Sequence, residues 1–161
     1  MNAKTRTVMT LVAVMLMLGL FFLERTTSAQ SPNSKCRQVK GDISDVSNPT
    51  GATGVLTNGG ILNGTTELVA NFAHLPTPDP TTSSYTNDFT ITTEQGQLKT
   101  SNVGLFDVGI LVFTEMARIN PNASTGRFAG ATGVLFISGN TIDGGATFQS
   151  SITGEICFLN E

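Results

Sequence analysis

Along much of this chain, apolar and polar residues alternate one by one. In residues 84–94, Tyr85, Asn87, Phe89, Ile91 and Thr93 share one parity, with Thr86, Asp88, Thr90 and Thr92 between them. A period of two puts successive side chains on opposite faces, so the segment predicts a strand with one face in a core. Residues 65–72 repeat the pattern, with Thr66, Leu68, Ala70 and Phe72 set against Glu67, Val69 and Asn71. Residues 38–46 carry Val39, Gly41, Ile43 and Asp45 on one parity and predict an opening strand. Further strands are predicted over 97–108, 110–119, 131–138 and 147–159, where β-branched residues and Phe recur. In 110–119 neither parity is cleanly polar: Leu111, Phe113, Glu115, Ala117 and Ile119 oppose Ile110, Val112, Thr114, Met116 and Arg118. That suits a strand covered on both faces or one lining a ligand cavity.

The segments between these runs are short and carry turn residues. Glu94-Gln95-Gly96 and Asp143-Gly144-Gly145 predict tight reversals, and residues 120–124 a loop. Glycines are frequent between Gly51 and Gly64, which predicts a bulged or tightly turned hairpin. Leu75-Pro76-Thr77-Pro78-Asp79-Pro80 lacks three backbone donors and predicts a stiff surface connection outside any sheet. Helix signals are nearly absent after residue 30. Strands joined in order by short connections predict an all-β fold, a closed or nearly closed antiparallel β-barrel of about eight strands. A Greek-key sandwich is the arrangement the pattern leaves open.

The N-terminal segment follows a different rule. Lys4 and Arg6 precede an apolar run over residues 8–23, and Thr27-Ser28-Ala29 supplies small residues at its exit. This is the layout of an export signal, and it predicts a signal-peptide helix cleaved after Ala29; a retained membrane anchor is the competing reading. Residues 1–29 are then the signal and 30–161 a single barrel domain, secreted to an extracellular or periplasmic space with no stable membrane insertion after cleavage. Removing 29 of the 161 residues leaves 132, enough for one core. In such an oxidising place the two cysteines, Cys36 and Cys157, are expected to pair. That bond requires the first and last strands to be neighbours, as they are when a sheet closes into a barrel.

Charge narrows the partners. Only 13% of residues are charged, and Lys and Arg are scattered singly, so the footprint of a nucleic-acid binder is missing. His74 is the one histidine, which leaves no multi-histidine metal site, and neither metal nor cofactor is expected. Any Ser/His/Asp triad would have to use His74, which reads as a loop residue. Glu115 shares a parity with Phe113 and Ile119; facing inward it is a candidate acid or base, and facing outward it pairs with solvent, Arg118 or Arg127. Phe89, Ile91, Phe113 and Glu115 are the candidate ligand-binding residues. Asp107 and Glu67 are possible mouth carboxylates that nothing in the spacing pairs.

The stretch Ser124-Thr125-Gly126-Arg127-Phe128-Ala129-Gly130-Ala131-Thr132-Gly133, running into Val134-Leu135-Phe136, is the most distinctive. Gly126, Gly130 and Gly133 permit positive φ and close backbone approach, Phe128 can cap a barrel end, and Arg127 can satisfy carbonyls or hold an anion. The stretch resembles the Gly-x-Phe turn and following Gly of the allene oxide cyclase and dirigent-like barrel superfamily, in particular uncharacterised secreted bacterial relatives. Thr114-Glu115-Met116 is similar to the acidic strand segment that precedes that turn in dirigent proteins. The resemblance implies an eight-stranded antiparallel barrel, and by analogy self-association into homo-oligomers. Asn120-Pro121-Asn122-Ala123 departs from the family pattern, and no active-site residue of either enzyme family maps onto a numbered position here. The resemblance therefore carries fold rather than activity. The expected function is a non-enzymatic secreted barrel that binds a small hydrophobic ligand or serves as a stable extracellular module. The alternative is an isomerase, cyclase or dirigent-type protein that encloses a reactive hydrophobic intermediate.

Overall fold

The computed structural model describes residues 34–159; the predicted signal segment lies outside the described residues. Eight strands follow one another: β1 (Ser34–Asn48), β2 (Gly51–Thr57), β3 (Gly64–Pro76), β4 (Thr82–Thr93), β5 (Gly96–Asp107), β6 (Val112–Ile119), β7 (Thr132–Ile142) and β8 (Thr147–Leu159). Each pairs antiparallel with the next, and β8 returns to pair with β1, so the sheet is a closed up-and-down barrel. The closing seam is long, running in register from Ser34 opposite Leu159 to Val46 opposite Thr147. Cys36 and Cys157 face one another across it and form a disulfide. In the chain-entropy picture a crosslink spanning 121 residues stabilises by roughly 4 to 5 kcal/mol at most.

Several boundaries differ from the alternation, and β1 extends beyond 38–46 at both ends. Leu75 and Pro76 stay in the sheet, opposite Ser84 and Ser83, after two register shifts between Ala70 and Leu75. Proline is tolerated there because it is the last residue of its strand, where a missing N–H removes little from the ladder. β6 begins at Val112, not at 110, because Leu111 adopts φ +58 in the turn before it. β7 runs on to Ile142.

The two ends of the barrel are built differently. At the end where β4 meets β5, the β2–β3 connection folds as a single 3-10 turn, Gly60–Leu62, and buries Leu62. The long β6–β7 connection crosses the same end, and its own 3-10 turn, Gly126–Phe128, buries Phe128. Backbone bonds tie it to the β4–β5 turn: Arg127 N–H donates to the Gln95 carbonyl at 2.8 Å and Thr125 N–H to the Gln97 carbonyl at 2.8 Å. Gly126 has φ +60, and a Cβ there would meet the Gln95 carbonyl oxygen at 2.2 Å, so both conformation and closeness demand glycine. The Phe128 ring packs on Phe158 at 6.1 Å, and the Arg127 guanidinium covers Phe158 at 5.3 Å. Beneath this lid Leu56, Ile91, Leu98, Leu135 and Ile156 are fully buried.

Candidate functional site

The opposite end is hollow. A cavity of about 350 Å³ opens there, at the small end of the roughly 300–1,000 Å³ typical of ligand pockets. Its walls are largely aromatic and aliphatic, with Phe89, Phe106, Phe113 and Phe148 prominent among them. Phe113 and Phe148 meet edge to face at 5.9 Å.

A polar cluster is set into the wall. Glu115 is buried on β6 and takes three hydrogen bonds: from the Tyr85 hydroxyl at 2.7 Å, from Asn87 Nδ2 at 3.0 Å and from Asn102 Nδ2 at 2.7 Å. Asn102 is itself held by the Thr100 hydroxyl at 2.7 Å. The donors come from β4 and β5, and the register shows how they reach. Tyr85, Gly104 and Glu115 are opposite one another on three successive strands. A Cβ on Gly104 would lie 2.6 Å from Tyr85 Cζ and 2.9 Å from Glu115 Cγ, so the missing side chain is what lets the phenol cross the middle strand. The same device recurs on β1–β3, where Asp45, Gly54 and Thr66 are opposite one another and the Thr66 hydroxyl donates to the Asp45 carboxylate across the glycine.

The electrostatics follow from burial. Desolvation pushes the Asp45 carboxyl above its ordinary 3.8; Thr66 opposes this, and the nearby charge of Glu115 adds to it. Burial also drives the Tyr85 hydroxyl far above its ordinary 10.0, reinforced by the charge of Glu115 and by the hydrogen bond to it. Tyr85 is therefore fixed as a hydrogen-bond donor. Two fully buried polar atoms of residues on the cavity lining have no partner, Asn87 Oδ1 and Thr141 Oγ1.

Of the residues picked out from sequence, Phe89, Phe113 and Glu115 line the cavity. Ile91 does not: it points inward two residues nearer the lid and is wholly packed there. Glu115 faces the interior and bonds to Tyr85, Asn87 and Asn102, not to Arg118 or Arg127. Arg127 donates to Gln95 Oε1 at 2.7 Å and covers Phe158, and so belongs to the lid. Gly126, Gly130 and Gly133 all have positive φ. Glu67 is exposed on the outer face, and Asp107 accepts the Gly109 N–H within its own turn. Among the described residues the one cluster with metal-type ligands is Cys36, Glu155 and Cys157, whose two sulfurs are bonded to each other. Sequence reasoning missed the roles of Tyr85, Asn87, Asn102, Asp45 and Thr66. The available signal was polar residues on inward parities: Tyr85, Asp45 and Thr66 each have a glycine as neighbour across the sheet, while Asn87 and Asn102 are opposite one another.

Fold and site together define a class, an eight-stranded antiparallel barrel lidded at one end and hollow at the other. No known protein family, curated protein or solved structure matches the chain.

Proposed function

We propose that this chain is exported and that its barrel is a non-enzymatic carrier of a small hydrophobic ligand in an extracellular or periplasmic space. The observation that carries the reading is the hollow end. A barrel serving only as a stable module gains by filling its interior, since unfilled space forfeits dispersion contacts. Here one end is filled to that standard and the other keeps about 350 Å³ between aromatic walls. Apolar side chains continue onto the rim, where Leu75 near the end of β3 and Val108 and Ile110 on the β5–β6 connection are exposed. The seam disulfide suits an oxidising compartment, and among the described residues no helix is long and apolar enough to cross a membrane.

Native mass spectrometry of the purified protein is expected to show one small molecule retained per barrel, or one lipophilic dye taken up per barrel after stripping. A chain that carries no ligand and takes up no lipophile would overturn the carrier reading. Tyr85 offers a local signal for this, because it is the chain's single tyrosine and there is no tryptophan.

A second reading is favoured by Glu115 itself, a carboxylate hydrogen-bonded to a phenol at the wall of an apolar cavity. In this reading the chain is an isomerase or dirigent-type protein of the superfamily that the 124–133 turn resembles, and works by holding a reactive hydrophobic intermediate away from water. Epoxide or radical substrates turned over by the wild type and equally well by Glu115→Gln would remove it.

A further inference from the structure

We infer that the cavity selects small apolar molecules ending in a protonated amine and discriminates against those ending in a carboxylate. This rests on the carrier reading and specifies its ligand. The polar atoms of the cavity are unequal in kind. Among the described residues no Lys, Arg or His lines it, while two carboxylates do, Asp45 and Glu115. Asn87 is 1% exposed, and its Nδ2 is committed to Glu115, so the amide can turn only its oxygen to a ligand, and that oxygen is unpartnered. The Tyr85 hydroxyl is likewise spent on Glu115. Hydroxyls complete the set: Thr141, 5% exposed and unpartnered, with Ser150 and Thr86 also on the lining.

A buried acceptor without a donor is costly, and a ligand that supplies the donor relieves that cost on binding. A hydrocarbon supplies none. An alcohol supplies one O–H. An ammonium group supplies three N–H donors and a positive charge that offsets the carboxylates, in a cavity walled by aromatic rings that also attract cations. A carboxylate brings only acceptors and a like charge, and would find neutral hydroxyls, such as those of Thr141 and Ser150, but no cation to pair with on the lining. The expected order of affinity is amine, alcohol, hydrocarbon, carboxylate.

The test is a set of probes of nearly equal size: phenethylamine, phenethyl alcohol, propylbenzene and phenylacetate. Each is titrated at neutral pH into the purified protein with its disulfide intact, by calorimetry or Tyr85 fluorescence. The amine is expected to bind about tenfold or more tightly than phenylacetate, and this preference is expected to shrink in Glu115→Gln. Asp45→Asn is the second variant, and keeps the question answerable if the first does not fold. Phenylacetate binding as tightly as the amine, or a preference undiminished in every variant that folds, would overturn the amine inference while leaving a carrier. Failure of all four probes to bind would overturn the inference together with the carrier reading.

Discussion

The two ends of the barrel use the same strands and spend their inward positions in opposite ways. Along β4 the inward side chains run Tyr85, Asn87, Phe89, Ile91, from the mouth toward the lid, and along β6 they run Phe113, Glu115, Ala117, Ile119. Toward the lid, the inward side chains of these two strands, Ile91, Ala117 and Ile119, are apolar and buried in the core. Toward the mouth, Tyr85, Phe106, Phe113 and Phe148 are partly exposed, and the cavity they line also carries carboxylates and an amide. Stability and recognition are thus divided along the barrel axis: the lid end supplies burial, and the mouth end holds groups that burial alone would expel.

The division predicts unequal costs for the same substitution. Phe128→Ala removes a fully buried ring from the lid and is expected to destabilise by about 3–5 kcal/mol. Phe113→Ala removes a ring that already faces open volume, so fewer contacts are lost, and the cost is expected to be less than half as large. Urea unfolding of the two variants measures the difference. Equal costs would mean that the mouth is as tightly packed as the lid, and the comparison would break at its foundation.

Much of this architecture was legible in the residues, for a reason that also explains what was not. Alternation in residues 84–94 separates inward from outward, because a strand's side-chain period is two, and it placed Tyr85, Asn87, Phe89 and Ile91 on one face. Parity says nothing of depth along the barrel axis. Depth depends on the stagger between strands, which is why Ile91 read as a ligand contact and is instead lid packing. The cysteines were legible because a bond between the chain's two ends has one geometric meaning in a barrel. The polar cluster was not, because Tyr85 lies 30 residues from Glu115 and Asn102 lies 13, and no local motif links them. Leu75 and Pro76 misled because proline argues against a sheet interior but is tolerated at a strand's end.

Gly104→Ala sharpens the comparison from the mouth side. A methyl group there would press on Tyr85 Cζ at 2.6 Å and its hydroxyl at 2.8 Å, so the phenol must swing off Glu115. Overpacking of this kind costs roughly 1–3 kcal/mol, but alanine recovers roughly 0.5–1 kcal/mol of backbone entropy relative to glycine. The net expectation is a loss of about 1 kcal/mol, well below that of Phe128→Ala. The tyrosine gives a more direct readout than stability. In the folded wild type its phenolate band is expected to stay absent through pH 10.0, and in the variant to emerge at lower pH. An unchanged titration would show that the phenol does not depend on that glycine for its path to Glu115.

The smallest expected effect is a gain, at Asp45. Burial is the chief cause holding this carboxyl above 3.8, with Thr66 opposing and the charge of Glu115 adding. The folded barrel therefore holds that proton more tightly than the unfolded chain does. Stability contributed by the neutral form is fully present below 3.8 and is lost as pH rises through the raised folded value, above which the mouth carries a desolvated carboxylate. Asp45→Asn keeps an oxygen for the Thr66 hydroxyl and removes the charge. The variant is expected to melt above the wild type at neutral pH, with the gap closing as pH falls toward 3.8. Paired thermal melts between about pH 3 and pH 8 would follow it. A gap that stays constant with pH would assign the gain to shape instead of charge. A variant less stable at neutral pH would mean that the carboxylate is better compensated than its burial implies, and the mouth would no longer be the end where stability is given up to hold charge.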